Sequence, residues 1–304
     1  MSGIVVVGSA NIDQVLRVER IPSPGETVLS HGLNTALGGK GQNQAVASAR
    51  AGAETTFIGA VGADSFGEMV RTGLSADSIG VSQLRTTQKP TGTALIAVDG
   101  TGENTIIVEP GANSDVLVLT SADSAAISAA SALVMQLEIP LQTVVEAARV
   151  AHAVGTRVIL NAAPIQVLPQ VLLENLDVLI VNEHEAAEMA KDNGLATELT
   201  GLGERLLTLV PTVIVTWGSK GASLHRVGTD EVLVPAHRVT AVDATGAGDT
   251  FCGAFAAGLV EGMLADDALR FAVAAASISV ESHGAVPSIP LRAAIETRAK
   301  ESRH

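Results

Sequence analysis

The amino-acid sequence predicts an α/β fold with a central, mostly parallel sheet, helices covering both of its faces, and a small β-sheet projecting as a lid. After residue 120, short runs of Val, Ile and Leu alternate with helical stretches, as expected for parallel strands buried on both faces. Two earlier segments have β-like patterns without intervening helices. The 304 residues, 47% of them hydrophobic, are enough for a sizeable core.

The main sheet is predicted from apolar runs bounded by turn residues. These strands lie at 4–7, 55–58, 132–135, 158–160, 178–181 and 213–216. Helices are predicted at 141–154, 183–191 and 204–209, and in the alanine-rich last third at 250–262, 266–281 and 291–300. The alternation favours a single domain over residues 1–304.

The projecting lid is predicted at about 14–38 and 89–110, with turn-rich breaks at 22–25 and 100–104. Its strands at 94–98 and 106–108 are apolar on both faces, whereas a small projecting sheet normally keeps one face in water. A second copy of the chain is the simplest cover. We therefore expect a homodimer formed through the lid sheet.

The charge balance excludes several classes of partner. With 19 Lys and Arg against 32 Asp and Glu, the net charge of −13 disfavours nucleic acid and anionic membrane surfaces. Apolar runs are too short for a membrane span or a signal peptide, so a cytoplasmic protein is expected. The single cysteine, Cys252, excludes an internal disulfide framework.

One glycine-rich motif carries the clearest chemistry. The residues Asp-Ala-Thr-Gly-Ala-Gly-Asp-Thr-Phe at 243–251 lead into an Ala- and Gly-rich helix. Glycines before a helix leave backbone N–H groups uncovered, and these groups with the helix dipole favour a phosphate. Asp249 would oppose an anion there, but it suits a base that takes a hydroxyl proton during phosphoryl transfer. The alternative is a glycine turn in which Asp249 only caps the helix.

A second motif, Gly-Gly-Lys-Gly-Gln-Asn-Gln-Ala at 38–45, also opens a helix, and its Lys40 and Asn43 are suited to binding hydroxyls. Neither motif matches the P-loop or the dinucleotide-binding pattern. Together they resemble the ribokinase-like carbohydrate kinases. The resemblance extends in the same order over nearly the whole chain, through 8–13, 24–27, 135–138, 182–185, 216–221 and 281–288.

That resemblance implies roles for individual positions. The expected catalytic group is Asp249 with the backbone of Gly246, Ala247 and Gly248. The expected sugar-binding residues are Asn11, Asp13, Gly39, Lys40, Asn43, Glu138 and Asp249. The expected ATP-binding residues are Asn182, Thr216, Trp217, Gly218, Ser219, Lys220, Gly221, Gly248 and Val273. Asn182 and Glu185 are expected in the outer shell of Mg²⁺. Expected K⁺ contacts, largely through backbone oxygens, are Asp243, Thr245, Ser279, Ser282, Gly284 and Ser288.

Each assignment has a structural alternative. Asn11 and Asp13 could finish a turn, Glu138 could start a helix, Lys40 could lie on the surface, and Trp217 could belong to the core.

The resemblance implies an ATP-dependent kinase acting on a primary hydroxyl, with the 5-hydroxyl of ribose first and deoxyribose or fructose as alternatives. The lid lacks aromatic residues, which disfavours a nucleoside. A phosphorylated or carboxylated sugar would need cations, and the lid offers Arg17, Arg20 and Lys89, whose direction the sequence does not give. A hypothesis from another class is a non-catalytic, sugar-responsive regulator. Asp249 argues against it, because a binding module has no use for a base beside an anion site.

Overall fold

The computed structural model describes residues 3–301, so the predicted domain bounds of 1–304 extend beyond the described residues at both ends. The α/β prediction is confirmed, with two separate sheets. The strands of the main sheet are β1 (Gly3–Val7), β4 (Glu54–Gly62), β5 (Leu84–Thr87), β8 (Ala132–Met135), β9 (Arg157–Asn161), β10 (Val178–Asn182), β11 (Thr212–Thr216), β12 (Ala222–Arg226) and β13 (Val232–Val234). Their spatial order is β13-β12-β11-β10-β9-β8-β1-β4-β5.

Neighbouring strands from β11 to β5 are parallel, and β12 and β13 add an antiparallel edge. The sequence pattern misses β5, β12 and β13. β5 and β13 are short edge strands of four and three residues. β12 lies between β11 and β13 and is mostly buried, but Ser223 and His225 interrupt its apolar run. A continuous apolar run is expected only where both faces of a strand are buried.

The small sheet contains β2 (Asn11–Val18), β3 (Ser30–Gly38), β6 (Gly92–Val98) and β7 (Asn104–Glu109), in the order β3-β2-β6-β7. At the base of the small sheet, Asn11 pairs with both Gly38 and Gly92. This base lies beside the main sheet because only residues 8–10 connect β1 to β2. Its far edge is apolar and exposed. Ile107 is 64% exposed there, and Ile106 and Val108 are also exposed.

Helices cover both faces of the main sheet. They are α1 (Lys40–Arg50), α2 (Ser65–Ala76), α3 (Ser121–Ala129), α4 (Leu141–Val154), α5 (Gln170–Leu173), α6 (Glu183–Asp192), α7 (Leu202–Leu206), α8 (Ala247–Val260), α9 (Ala265–Ser279), α10 (Ala285–Ser288) and α11 (Arg292–Glu301). The predicted helix at 204–209 begins earlier, at Leu202, and ends at Leu206. Within residues 3–301, no helix combines the length and apolar character needed to cross a bilayer.

Two apolar cores follow from the alternation of side chains along each strand. In β1, Ile4 and Val6 pack with α1, α2, α8 and α9 on one face, whereas Val5 and Val7 pack with α3 to α7 on the other. All the central strands run in one direction, so their carboxyl ends share one edge of the sheet. In open α/β sheets this edge is where ligands bind.

Candidate active site

Asp249 lies in the first turn of α8 and is 6% exposed. The helix begins after Gly246, whose φ of 74° lies in the left-handed region that favours glycine. The Asp249 carboxylate accepts one hydrogen bond on each oxygen, from Nδ2 of Asn43 at 2.9 Å and from Nε2 of Gln44 at 2.9 Å. Among residues 3–301 no side chain caps α8, so Asp249 is held by α1 and is not the cap that the alternative interpretation required.

The glycine turn before Asp249 has one open position. A Cβ built on Gly248 meets nothing within 4 Å, whereas one on Gly246 would lie 2.9 Å from the Cβ of Ala285. The Ala247 N–H already donates to the carbonyl of Ala244, at 3.2 Å. Within residues 3–301 the Gly248 N–H has no such acceptor. Gly248 is therefore the predicted cradle residue whose surroundings leave most room for an anion.

A cavity of about 560 Å³ opens beside Gly248, between the turn after β11 and helices α8 and α9. The predicted residues that line it are Thr216, Gly218, Ser219, Gly221, Gly248 and Val273. Its other walls include His237, Arg238 and Val239, which the sequence motifs did not indicate. The size and the largely apolar lining are typical of a small-molecule site.

Three predicted nucleotide residues, Asn182, Trp217 and Lys220, do not line this cavity. The Trp217 indole N–H donates to Oγ of Ser223 at 2.9 Å, and its ring packs against the core on the α3 to α7 side. Lys220 is exposed.

Asn11 and Asp13 lie at the start of β2, where the small sheet meets the main sheet. Glycines on the neighbouring strands make room for them, because a Cβ on Gly92 would lie 2.2 Å from Oδ1 of Asn11, and one on Gly38 would lie 2.3 Å from the Asp13 carboxylate. Burial, followed by the negative charges of Glu138 and Asp249, raises the pKa of Asp13 to about 6. Asp13 therefore lies within range of electrostatic repulsion by both carboxylates.

Glu138 joins the loop after β8 to the start of α1. Its Oε2 accepts hydrogen bonds from the Ser9 hydroxyl at 2.6 Å and from the Lys40 backbone N–H at 3.0 Å. The negative charges of Asp249, Glu138 and Glu185 raise the pKa of Lys40 against the effect of burial, with Asp249 the largest cause. The half-buried Lys40 ammonium therefore faces the site and is not a surface group.

Asn182 and Glu185 form the amino-terminal capping box of α6. Oδ1 of Asn182 accepts from the backbone N–H of Glu185, and Oε2 of Glu185 accepts from that of Asn182, at 2.9 and 2.8 Å. Burial raises the pKa of Glu185. Glu185 keeps Oε1 as an acceptor for a water or an ion, whereas Oδ1 of Asn182 also accepts from the His184 N–H, so that its Nδ2 remains as a donor. In residues 3–301, no cluster of three His, Cys, Asp or Glu side chains is arranged to hold a metal.

The predicted potassium residues surround a junction of two loops. Oδ1 of Asp243 accepts from the N–H and hydroxyl of Thr245 at 2.9 and 2.6 Å, and Oδ2 accepts from the Gly284 N–H at 2.8 Å. Ser279 and Ser288 donate their hydroxyls to backbone carbonyls of their own turns. The structure thus brings the 243–245 and 279–288 segments together, with backbone carbonyls as the available oxygens.

Residues 1–292 match the family model described as pfkB family carbohydrate kinase. The chain belongs to the pfkB family. It is 39% identical over 308 residues to a protein named ribokinase from Schizosaccharomyces pombe, covering 95% of each chain. It is 39% identical over 298 residues to one from Bacillus subtilis, covering 97% of this chain and 99% of the other. The structure of Arabidopsis thaliana ribokinase complexed with ribose and ATP has a TM-score of 0.92, with 34% identity and 99% of each chain covered.

The sequence analysis assigned no role to several polar residues of this pfkB family site, although Gln44 and Gln136 lie inside the 38–45 and 135–138 segments. Asn113 donates from Nδ2 to Oδ1 of Asn11 at 2.7 Å and accepts from the Ala10 N–H at 2.9 Å, which fixes the Asn11 amide. Gln44, Gln136 and Asn161 form a buried chain that ends at Asp249. One available indication was that polar side chains end or follow strands β8 and β9 at the edge where ligands bind.

Proposed function

We propose that this pfkB family chain is an ATP-dependent kinase that transfers the γ-phosphate to the 5-hydroxyl of ribose, with Asp249 as the general base. The observation that carries the proposal is the placement of Asp249. This buried carboxylate, held by α1, stands next to the open Gly248 position and the cavity beyond it. The relatives named ribokinase, and the solved relative with ribose and ATP, support ribose as the acceptor.

In the proposed reaction, Asp249 takes the proton of the attacking hydroxyl as that oxygen bonds to the γ-phosphorus of ATP and ADP leaves. The sugar is held by Asn11, Asp13, Gly39, Lys40, Asn43 and Glu138. Asn43 is suited to this, because its Nδ2 is used by Asp249 while its buried Oδ1 has no protein partner and can accept from a hydroxyl. Lys40 and the Gly248 amide offset the charge that develops on the transferred group.

ATP is proposed to occupy the cavity with its phosphates toward Gly248. The base and ribose would contact the turn at 216–221 and Val273. The site already contains the carboxylates of Asp13, Glu138, Glu185 and Asp249, which would repel phosphates. Mg²⁺, when bound through ATP, would supply positive charge to the phosphate oxygens, and Asn182 and Glu185 would hold its water shell.

The junction at Asp243 is proposed to hold K⁺. The residues that would hold it are Asp243, Thr245, Ser279, Ser282, Gly284 and Ser288. They fit a hard cation because the groups available are oxygens. The ion would supply positive charge beside the glycine turn, and it would hold together the segments that the Asp243 carboxylate already joins. The turn that carries the Gly248 N–H would then be more rigid.

A neutral sugar suits the lid better than a phosphorylated one. Arg20 is paired with Glu26 at 2.5 Å, and Lys89 with Asp115 at 2.8 Å, while Arg17 is exposed. Two of the three lid cations are therefore already neutralised by carboxylates. Without aromatic residues in the lid segments, a nucleoside base would have no ring to stack on there.

The exposed apolar edge of the lid supports the proposed homodimer. Leu95, Ile106, Ile107 and Val108 are 43 to 64% exposed on adjacent strands β6 and β7. Pairing two such sheets would remove this surface from water. We place the enzyme in the cytoplasm, with small-molecule partners and no nucleic-acid or membrane partner, in line with the net charge of −13.

The proposal is tested by measuring ADP release with ribose, deoxyribose, fructose and adenosine, with and without K⁺. Ribose should give the highest kcat/KM. Replacing Asp249 with Asn should lower kcat by about 10²–10⁴-fold while ribose binding, measured by calorimetry, persists. Asp192→Asn, an exposed change at the end of α6, is the control.

Other outcomes separate the alternatives. Turnover on adenosine alone would exclude the pentose. Ribose binding by the wild type without turnover on any sugar would favour the regulator. Near-normal activity of the Asp249→Asn variant would show that Asp249 is not the base.

A further inference from the structure

A chain of three buried side-chain amides lies behind Asp249. Gln44 donates from Nε2 to Oδ1 of Asp249 at 2.9 Å and to Oδ1 of Asn161 at 3.1 Å, and it accepts on Oε1 from Nε2 of Gln136 at 2.7 Å. Asn161 donates from Nδ2 to the carbonyl of Ile180 at 3.2 Å. Gln44 and Gln136 are fully buried, and Asn161 is 8% exposed. The chain thus links Asp249 to the central strands of the main sheet.

The direction of these amides is set by the backbone. A carbonyl oxygen such as that of Ile180 only accepts hydrogen bonds, so the Asn161 NH₂ must face it and the Asn161 oxygen must face Gln44. The Gln44 NH₂ is then fixed toward both Asn161 and Asp249. Gln136 reinforces this orientation by donating to the Gln44 oxygen. A flipped Gln44 would set its oxygen against the Asp249 carboxylate and against the Asn161 oxygen.

Gln44 and its neighbour Asn43 both donate to Asp249, but they differ in whether a polar atom remains for the substrate. Asn43 retains an unpartnered Oδ1 that can reach a substrate hydroxyl. Gln44 is 0% exposed, both hydrogens of its amide are donated, to Asn161 and Asp249, and its oxygen accepts from Gln136 in the protein interior. Because Gln44 is enclosed in this way, it does not reach the substrate and can affect the reaction only through Asp249.

We infer that Gln44, oriented by Gln136 and Asn161, is a positioning residue that fixes the plane of the Asp249 carboxylate for proton transfer. The inference rests on the proposed kinase function. Gln44 uses one lone pair of Oδ1 of Asp249, and Asn43 uses one lone pair of Oδ2. The remaining lone pairs of the carboxylate therefore have defined directions. Rotation of the carboxylate would break both bonds. The hydroxyl proton therefore meets an acceptor that is already in place, which is how positioning lowers a barrier.

The test uses the full-length enzyme with Gln44→Met, which cannot hydrogen-bond, and Gln44→Glu, which keeps the shape but places a second carboxylate against Asp249. For Gln44→Met we expect kcat with ribose to fall by about 10²-fold, the order of loss caused by a small misplacement of a reacting group. The Kd for ribose, measured by calorimetry, should stay within about twofold, because Gln44 lies behind the base and not in the pocket.

Gln44→Glu should have a separate signature in its pH profile. Two adjacent carboxylates hold a proton between them, so the rise of kcat with pH should occur at higher pH in this variant than in the wild type. Gln136→Met, one bond further from Asp249, should cause a smaller loss of kcat. If neither Gln44 variant folds, the kcat of Gln136→Met is measured to test the inference.

A matched control lies one turn along the same helix. The buried Ser48 hydroxyl donates to the Gln44 and Gly253 carbonyls at 2.8 and 3.3 Å, with no bond to Asp249. Ser48→Ala should lower the melting temperature and leave kcat unchanged. A fall in kcat equal to that of Gln44→Met would mean that any damage to α1 impairs the enzyme, and it would overturn the inference.

A double-mutant cycle completes the test. In the Asp249→Asn background, Gln44→Met should cause no further loss of kcat, since the group through which Gln44 acts is gone. A full additional loss would refute the positioning role. The two proposals fail differently. A wild type without turnover on any sugar refutes the kinase function, whereas an active wild type matched by an equally active, folded Gln44→Met variant refutes only the role of Gln44.

Discussion

Replacing Asp13 with Asn should stabilise the protein while impairing its activity. The half-buried Asp13 carboxylate lies near two other carboxylates, and burial with the charges of Glu138 and Asp249 raises its pKa from 3.8 to about 6. Ionising Asp13 therefore costs more free energy in the folded protein than in the unfolded chain. Asn keeps nearly the same shape and removes the charge.

The magnitude follows from the pKa change, since each tenfold change in proton affinity is worth about 1.4 kcal/mol. A rise from 3.8 to about 6 corresponds to about 3 kcal/mol. Below about pH 4, Asp13 is protonated in both states and costs nothing. As pH rises toward about 6, the unfolded chain ionises while the folded protein retains the proton, so the free energy of unfolding falls. The loss is complete above pH 6.

Urea denaturation of both proteins between about pH 5 and pH 8 measures this effect, and about half of the 3 kcal/mol falls in that interval. The stability of Asp13→Asn relative to wild type should increase with pH. At the same time its kcat/KM for ribose should fall by about 10- to 100-fold, the value of a hydrogen bond to a charged group. Parallel pH profiles for the two stabilities would refute the reasoning. Glu198→Gln, an exposed change in the loop before α7, is the control.

Other variants test the glycine turn, the cation junction and the lid. Gly248→Ala places a methyl group in the open cradle and should lower kcat/KM for ATP by about 10²-fold at unchanged stability, whereas Gly246→Ala should cost about 1–2 kcal/mol because of its φ of 74°. Denaturant unfolding and steady-state kinetics separate the two. Asp243→Asn removes a charged acceptor between two loops. It should raise the K⁺ concentration for half-maximal activity by about tenfold or more. The same K⁺ dependence in the variant and the wild type would contradict this. Ile107→Lys should shift the protein from dimer to monomer in sedimentation experiments, and the equally exposed Val167→Lys should not.

The sequence predicts the central strands well, because strands buried on both faces must be apolar throughout. It fails at the edge strands β5 and β13, which are short, and at β12, which is buried inside the sheet but carries the polar Ser223 and His225 among its apolar residues. The contact of Trp217 with a nucleotide stays a prediction, because a motif does not give the direction of a side chain. The motif sets this residue in the nucleotide turn, but the direction of its side chain depends on the local backbone, which turns the indole toward Ser223 and the opposite core.

For the site, the sequence predicts residues that a local motif marks and misses residues that only topology brings together. Asp249 follows a glycine turn, so its chemistry is visible from its neighbours. Gln136 and Asn161 lie at the ends of different strands, and Gln44, although inside the 38–45 motif, is separated from Asp249 by 205 positions. Their hydrogen bonds exist because β8, β9 and β10 are adjacent and parallel, an arrangement that no short motif contains.

The hydrogen-bonding groups of the site explain why a sugar is preferred over water as phosphoryl acceptor. The carboxylates of Asp13, Glu138 and Asp249 and the free oxygen of Asn43 are all acceptors, so the site needs a ligand that offers several O–H donors at fixed positions. A polyol meets that need in one binding event, whereas separate waters must each be immobilised. Without a sugar, the carboxylates of Asp249 and Glu138 attract Lys40 and oppose an incoming phosphate. When hydroxyls bind to them, Lys40 becomes more available to the γ-phosphate. Sugar binding should therefore strengthen ATP binding, and ATP hydrolysis without sugar should be slow, which an ADP-release assay with and without ribose would measure.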